Sequence, residues 1–182
     1  VRVAGMLVLY NNMLQSLFES QFQTIGITVV AIMLMFFVLF RSVKISLIAI
    51  VPNLIASLTV LGAMGLLGIP LDMMTITIVA ISVGMAVDNT IHYIHRFRRE
   101  LEEDGDYIAA MHRCHGSIGR ALYYTSYTIV IGFSILAFSN FIPTVLFGLF
   151  TGLAIAMALL AALTLLPAMI IWFKPFGPDQ SN

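Results

Sequence analysis

Charge is scarce in this chain of 182 residues: only 10% are Asp, Glu, Lys or Arg, nine acidic against nine basic. So sparse and balanced a charge leaves no basic field that would hold nucleic acid, and no nucleic-acid partner is expected. Cysteine is nearly absent, and Cys114 alone cannot form an internal disulfide. The signatures of catalysis are missing as well: no Gly-rich phosphate loop, no nucleophile elbow, no zincin motif. An intramembrane aspartyl protease needs two facing carboxylates, but Asp72 falls in a connector and Asp88 stands alone. His112, Cys114 and His115 fall short of the four ligands that structural zinc normally takes. Neither an enzyme, a cofactor nor a metal site is expected.

What is present is apolar. Hydrophobic residues make up 60% of the chain, and the mean hydropathy is +0.99. A soluble domain of this size cannot hide so much apolar surface in one core, whereas a bilayer can. The fold class expected is an all-α membrane protein with five transmembrane helices. Hydropathy places them near residues 22–40, 45–67, 74–95, 121–139 and 145–172, each long enough to cross about 30 Å of hydrocarbon. With alternating topology, Arg41, Lys44, Arg96, Arg98, Arg99, Arg113, Arg120 and Lys174 share one side and Arg2 takes the other. The positive-inside rule makes the side of Arg96 cytoplasmic, with the N-terminus outside and the C-terminus inside.

Three regions follow. Residues 1–21 carry Asn11, Asn12, Gln15, Glu19 and Gln21 and read as the end of an extracytoplasmic region. Residues 22–173 form the transmembrane domain, and 174–182 a short cytoplasmic tail. The chain starts at Val1 with no signal-peptide pattern, and a fragment of something larger is expected. The long connector from Arg96 to Arg120 contains Gly105-Asp106, a pair that can end one helix and cap the next. Helical spacing of Ile108, Met111 and Cys114 or His115 predicts a short amphipathic helix on the inner membrane surface. Tyr93, Tyr123, Tyr124 and Trp172 are expected in an interfacial aromatic belt.

Asp88 is the outlier, because a carboxylate in the middle of an apolar span costs about 2.5–3.5 kcal/mol on insertion scales. At 100° per residue, Thr77, Ile81, Gly84, Asp88, His92 and His95 fall on one stripe of the third span. Gly84 lets a neighbouring backbone approach, and His92, one turn beyond Asp88, is in reach of sharing its proton. The plainer reading of Asp88 is a structural hydrogen bond to another helix. Asn53 follows Pro52 and is first a candidate for satisfying backbone freed by the proline, and second a relay neighbour. Thr125 and Ser126 make a polar start to the fourth span, available to face Asp88 or to bond their own backbone. Gly148, Gly152 and Ala156 form a packing face in the fifth.

The run Gly84-Met-Ala-Val-Asp88-Asn-Thr-Ile-His92-Tyr-Ile-His-Arg-Phe-Arg-Arg-Glu100 resembles the fourth-helix motif of the resistance-nodulation-division (RND) superfamily. It is most similar to the MmpL-like, hydrophobe-exporter branch, which also resembles Patched and sterol-sensing domains. Gly68-Ile-Pro-Leu, Gly105-Asp106, Gly132-Phe-Ser, Phe147-Gly148 and Leu165-Leu-Pro167-Ala extend the resemblance, in the right order, over about residues 20–175. The resemblance implies that the five spans are the second to sixth helices of one RND half, the C-terminal one. A porter region would precede them, and the N-terminal half and porter domains would be missing partners. It implies proton-driven export of lipids or other hydrophobic molecules across a cytoplasmic (inner) membrane, with protons as coupling ion, Asp88 and His92 as relay, and Thr77 and Gly84 packing beside them. Membrane lipids are expected neighbours, and a homo-oligomer is compatible. Asn89 departs from the pattern, since many MmpL-type proteins carry Tyr after the Asp. The alternatives that the same helical block allows are a sterol-sensing-like regulatory domain and a Sec-auxiliary-like membrane component.

Overall fold

The computed structural model describes residues 23–24, 26–69 and 73–177. The expected extracytoplasmic stretch 1–21, Asp72 and most of the tail lie outside the described residues. Every regular element among the described residues is helical. The first, α1 (Gly26–Phe40), is apolar but shorter than a full span among the described residues. It forms one unit, ending where Arg41 adopts φ +50°.

Four longer apolar helices form the second unit: α2 (Val43–Leu66), α3 (Met73–Asp104), α4 (Tyr107–Phe138) and α5 (Ile142–Phe173). Each has the length and composition to cross a membrane, so the chain is a multi-pass membrane protein. Helix α5 is the centre of the unit, packed against α2, α3 and α4. Its composition explains why. Ala158 meets Ala56 of α2 and Ala86 of α3, all three all but fully buried. A second cluster on the same helices has larger side chains: Val60 and Met64, Ile78, and Phe150 with Ala154. In a bilayer such helices associate through close contact of small residues rather than through the hydrophobic effect.

Beyond Arg120, helix α4 leans on α5 and is otherwise largely bare. Gly148 makes that contact: a Cβ built there would stand 2.5 Å from the Phe133 carbonyl oxygen and 2.7 Å from Leu136 Cβ. Backbone cannot step aside cheaply, so Gly148→Ala should push α4 from α5 and lower stability by about 1–3 kcal/mol. Gly152→Ala is the paired control, since its Cβ would meet only Val130 Cγ1 at an ordinary 3.9 Å. Unfolding of both variants in detergent micelles checks the contrast, and equal losses would remove Gly148 as the contact point.

Two sequence expectations need correction. The segment after Gly105 is not a separate surface helix, because Tyr107 to Phe138 run as one helix. The passage from Cys114 to Arg120 is a π-turn, His115–Gly119, whose flanking residues keep right-handed helical φ and ψ. Tyr93, expected in the aromatic belt, is instead fully buried, whereas Tyr123, Tyr124 and Trp172 are exposed. Its ring lies 6.3 Å from Phe97, which also packs on Tyr107 and Phe176.

Candidate functional site

Helix α3 has 32 residues and so extends about 48 Å, well beyond the hydrocarbon thickness of about 30 Å. Its two faces differ. Ile78, Ser82, Ala86, Asn89, Thr90, Tyr93, Ile94 and Phe97 are buried, while Thr77, Gly84, Asp88, His92 and His95 lie exposed on the other side. The stripe read from helical periodicity is thus a real face, pointing away from the rest of its unit. Asp88 Oδ1 stands 3.4 Å from His92 Nε2, with 62% and 58% of the two side chains exposed. A Cβ built on Gly84 would meet nothing within 4 Å among the described residues.

The other residues singled out in the sequence are not brought to Asp88. Asn53 is buried on the opposite side of α3, where its Nδ2 donates to Ala49 O (2.6 Å) and to Thr90 Oγ1 (3.3 Å). Thr90 Oγ1 in turn donates to Ala86 O (2.8 Å), and Ser57 Oγ to Asn53 O (2.9 Å). This polar layer pins α2 to α3 beside Pro52, where the ring interrupts the helical ladder. Thr125 is exposed and Ser126 buried on the Arg120–Ser134 stretch of α4, which packs on α5 rather than α3.

A second charged constellation went unread in the sequence. Glu100, one of the few buried charges, pairs with Arg96 one turn back and with Arg113 of α4, whose Nε is 2.8 Å from its Oε2. Arg113 also donates from Nη2 to the Glu100 carbonyl oxygen (2.8 Å) and in a fork to both Asp104 oxygens (2.8 and 2.9 Å). The guanidinium beside Asp104 holds that carboxyl below the usual carboxylate range. The turn between the helices is built for this clamp. Gly105 takes φ +71°, and Asp106 Oδ1 accepts from the N–H groups of Ile108 (2.8 Å) and Ala109 (3.1 Å).

His115 is a structural link. Its Nδ1 lies 2.9 Å from Met111 O and its Nε2 2.9 Å from Leu163 O, in a second π-turn at Ala161–Leu165. Cys114 is buried beside it, and among the described residues no three metal-ligating side chains gather.

Comparison with known proteins bears on what these faces serve. The sequence profile of the MMPL family matches residues 1–180. This chain belongs to the MMPL family. A putative membrane protein of Methanocaldococcus jannaschii is 33% identical over 153 residues, which are 84% of this chain and 39% of that protein. The hopanoid transporter HpnN of Burkholderia multivorans is 29% identical over 84% of the chain and 18% of its own length. The probable trehalose monomycolate exporter MmpL3 of Mycobacterium leprae is 28% identical over 93% of the chain and 18% of itself. The MMPL chain therefore spans less than two-fifths of the relatives it matches. Two of these three MMPL relatives are named for moving lipids, in agreement with the RND resemblance of the motif around Asp88.

Proposed function

We propose that this chain is the transmembrane part of a proton-driven RND-type exporter of lipids or other hydrophobic molecules, and not an enzyme. One observation carries the proposal: an exposed Asp88–His92 pair on the outward face of a membrane-spanning helix. Kinship with a hopanoid transporter and a mycolate exporter supports the substrate class.

The chemistry follows from the pair. An ionised Asp88 needs water or a counter-charge at that depth, whereas a protonated one packs against apolar surface at little cost. Each proton that binds or leaves therefore favours a different packing of the stripe against whatever covers it. His92, a turn closer to the Arg-rich end of α3, is placed to accept the proton from Asp88 or return it. A charge moved through 100 mV carries about 2.3 kcal/mol, enough to shift a two-state packing roughly fifty-fold.

In this reading the Arg-rich end, with Arg96, Arg98, Arg99 and Arg113, faces the cytoplasm, across an inner membrane. Thr77 and Gly84 set the packing beside the pair, and Asn53, Thr125 and Ser126 have structural tasks. The test is transport of a fluorescent lipid into inverted vesicles holding the full-length protein. A pH gradient should drive it and a protonophore should stop it; export indifferent to the protonophore would refute the proton coupling.

A further inference from the structure

We propose that His115 is a second proton-binding site, a switch at the junction of α3, α4 and α5 on the face of α3 opposite Asp88. With both ring nitrogens protonated it donates to α4 and to α5. With one proton gone it exchanges the bond on its own helix for one to Tyr93 of α3. The site is separate from the Asp88–His92 pair and does not depend on the role proposed for that pair.

His115 Nδ1 stands 2.9 Å from the carbonyl oxygen of Met111, and Nε2 stands 2.9 Å from that of Leu163. Carbonyl oxygens only accept, and a neutral imidazole has one N–H to offer. Both contacts are therefore hydrogen bonds only when the ring is an imidazolium. In the neutral ring one of them sets two lone pairs face to face. The junction also lies where both helices carry a π-turn, His115–Gly119 and Ala161–Leu165, an irregularity that recurs at functional sites.

The two bonds are not equivalent. Leu163 O would take its helical bond from the N–H of residue 167, and Pro167 has none. An orphaned carbonyl is costly in an apolar helix, so Nε2–H is the bond the fold keeps. Met111 O, by contrast, already accepts the backbone N–H of His115 and stays satisfied when Nδ1 loses its proton. The bare Nδ1 then needs a donor, and the hydroxyl of Tyr93 lies 3.4 Å from it. Tyr93 is fully buried, its ring edge-on to the imidazole with centroids 5.8 Å apart. A small tilt of the ring about its Leu163 anchor trades a bond within α4 for one between α4 and α3.

The surroundings leave the imidazole as the group that titrates. No ionisable side chain lies between Ile142 and Phe173 on α5, and α2 carries only Lys44, exposed at its start. Beyond Tyr93, α3 brings Arg96 and Glu100, and α4 brings exposed His112, buried Cys114 and Arg113. Both arginines are paired with Glu100. A groove lined by Met111, His112, His115, Leu163 and Thr164 opens beside the ring, and the proton leaves through it to water.

The experiment is nitrogen NMR of the full-length protein with 15N-labelled histidine in lipid nanodiscs, between about pH 5 and 8, where histidine ordinarily changes charge. His115→Gln identifies the His115 resonances by their loss. Two protonated ring nitrogens are expected at the acidic end, and a single N–H, on Nε2, at the other. Tyr93→Phe removes the donor that serves only the neutral ring, so the turnover should move up by about 0.5–1 pH unit. A hydroxyl with no more than a packing role predicts the opposite, because its loss makes the site less polar and disfavours the charged ring. Should His115→Gln not fold, the resonance that moves in Tyr93→Phe is taken as His115, and movement of none counts against the switch. A ring that keeps one protonation state throughout, or a Tyr93→Phe turnover that is unchanged or lower, overturns the proposal. Asp88→Asn should leave the turnover in place, so failure of this site and failure of coupling at Asp88 are told apart.

Discussion

Asp88→Asn is expected to abolish the proposed proton-driven export while the protein still folds and inserts. Asn has the size of a protonated Asp, and its position on the exposed stripe places no demand on the packed interior of the unit. It can hydrogen-bond to His92 as the acid does, yet it neither gains nor loses a charge. Both stages of the cycle then look the same to the covering surface, and a ligand or proton that distinguishes no states shifts no equilibrium. Transport should fall to the level of empty vesicles, with thermal unfolding within about 0.5 kcal/mol of wild type, as surface substitutions usually are. Near-normal, protonophore-sensitive export by the variant would discard Asp88 as the coupling group. His92→Gln is the milder companion, since water can serve an exposed carboxylate in place of the imidazole, and slowed rather than lost export is its expected result.

The second large effect concerns stability, at the opposite end of the helix from the apolar core. Arg113→Ala removes one of two cations from Glu100, whose side chain is only 5% exposed. Breaking a buried ion pair by deleting one partner typically costs about 3–5 kcal/mol. Arg96 stays in place and Arg113 is itself one-third exposed, so the expected loss is clearly smaller than that range. Part of the loss comes from the Asp104 fork and the Glu100 carbonyl bond, which only a planar guanidinium can make together. Arg113→Lys should therefore recover less than half of it. The combined change Glu100→Gln with Arg113→Ala should be more stable than Arg113→Ala alone, because no buried charge is left behind. Unfolding free energies in micelles decide the matter, and a loss below about 0.5 kcal/mol for Arg113→Ala would show that the clamp is only a surface contact.

These two predictions also mark how far the sequence could be read. The stripe of Thr77, Gly84, Asp88 and His92 was legible because one helix sets its own periodicity, and charge within an apolar run is conspicuous. The Gly105-Asp106 cap was legible for the same local reason. The Glu100 clamp was not. Within the run Arg-Phe-Arg-Arg-Glu-Leu-Glu-Glu-Asp, any of the acids reads as a solvated residue, and nothing local distinguishes the one that faces Arg113. Asn53 illustrates the same limit, since its partner Thr90 lies 37 residues away on another helix. The continuity of α4 escaped because a helix lying on a membrane and one entering it share a single period.

The sequence by itself determined the class of the protein, the number and order of its apolar helices, and the face of α3 that carries Asp88. Those properties depend on bilayer thickness and on helical repeat, which act residue by residue along one chain. Tertiary structure alone decided which face is packed and which is bare. It put Asn53 on the far side of α3 from Asp88, buried Tyr93 and Glu100, and seated Gly148 against the backbone of α4. Such choices turn on how closely two helices can approach, and that distance belongs to pairs of surfaces, not to either sequence segment.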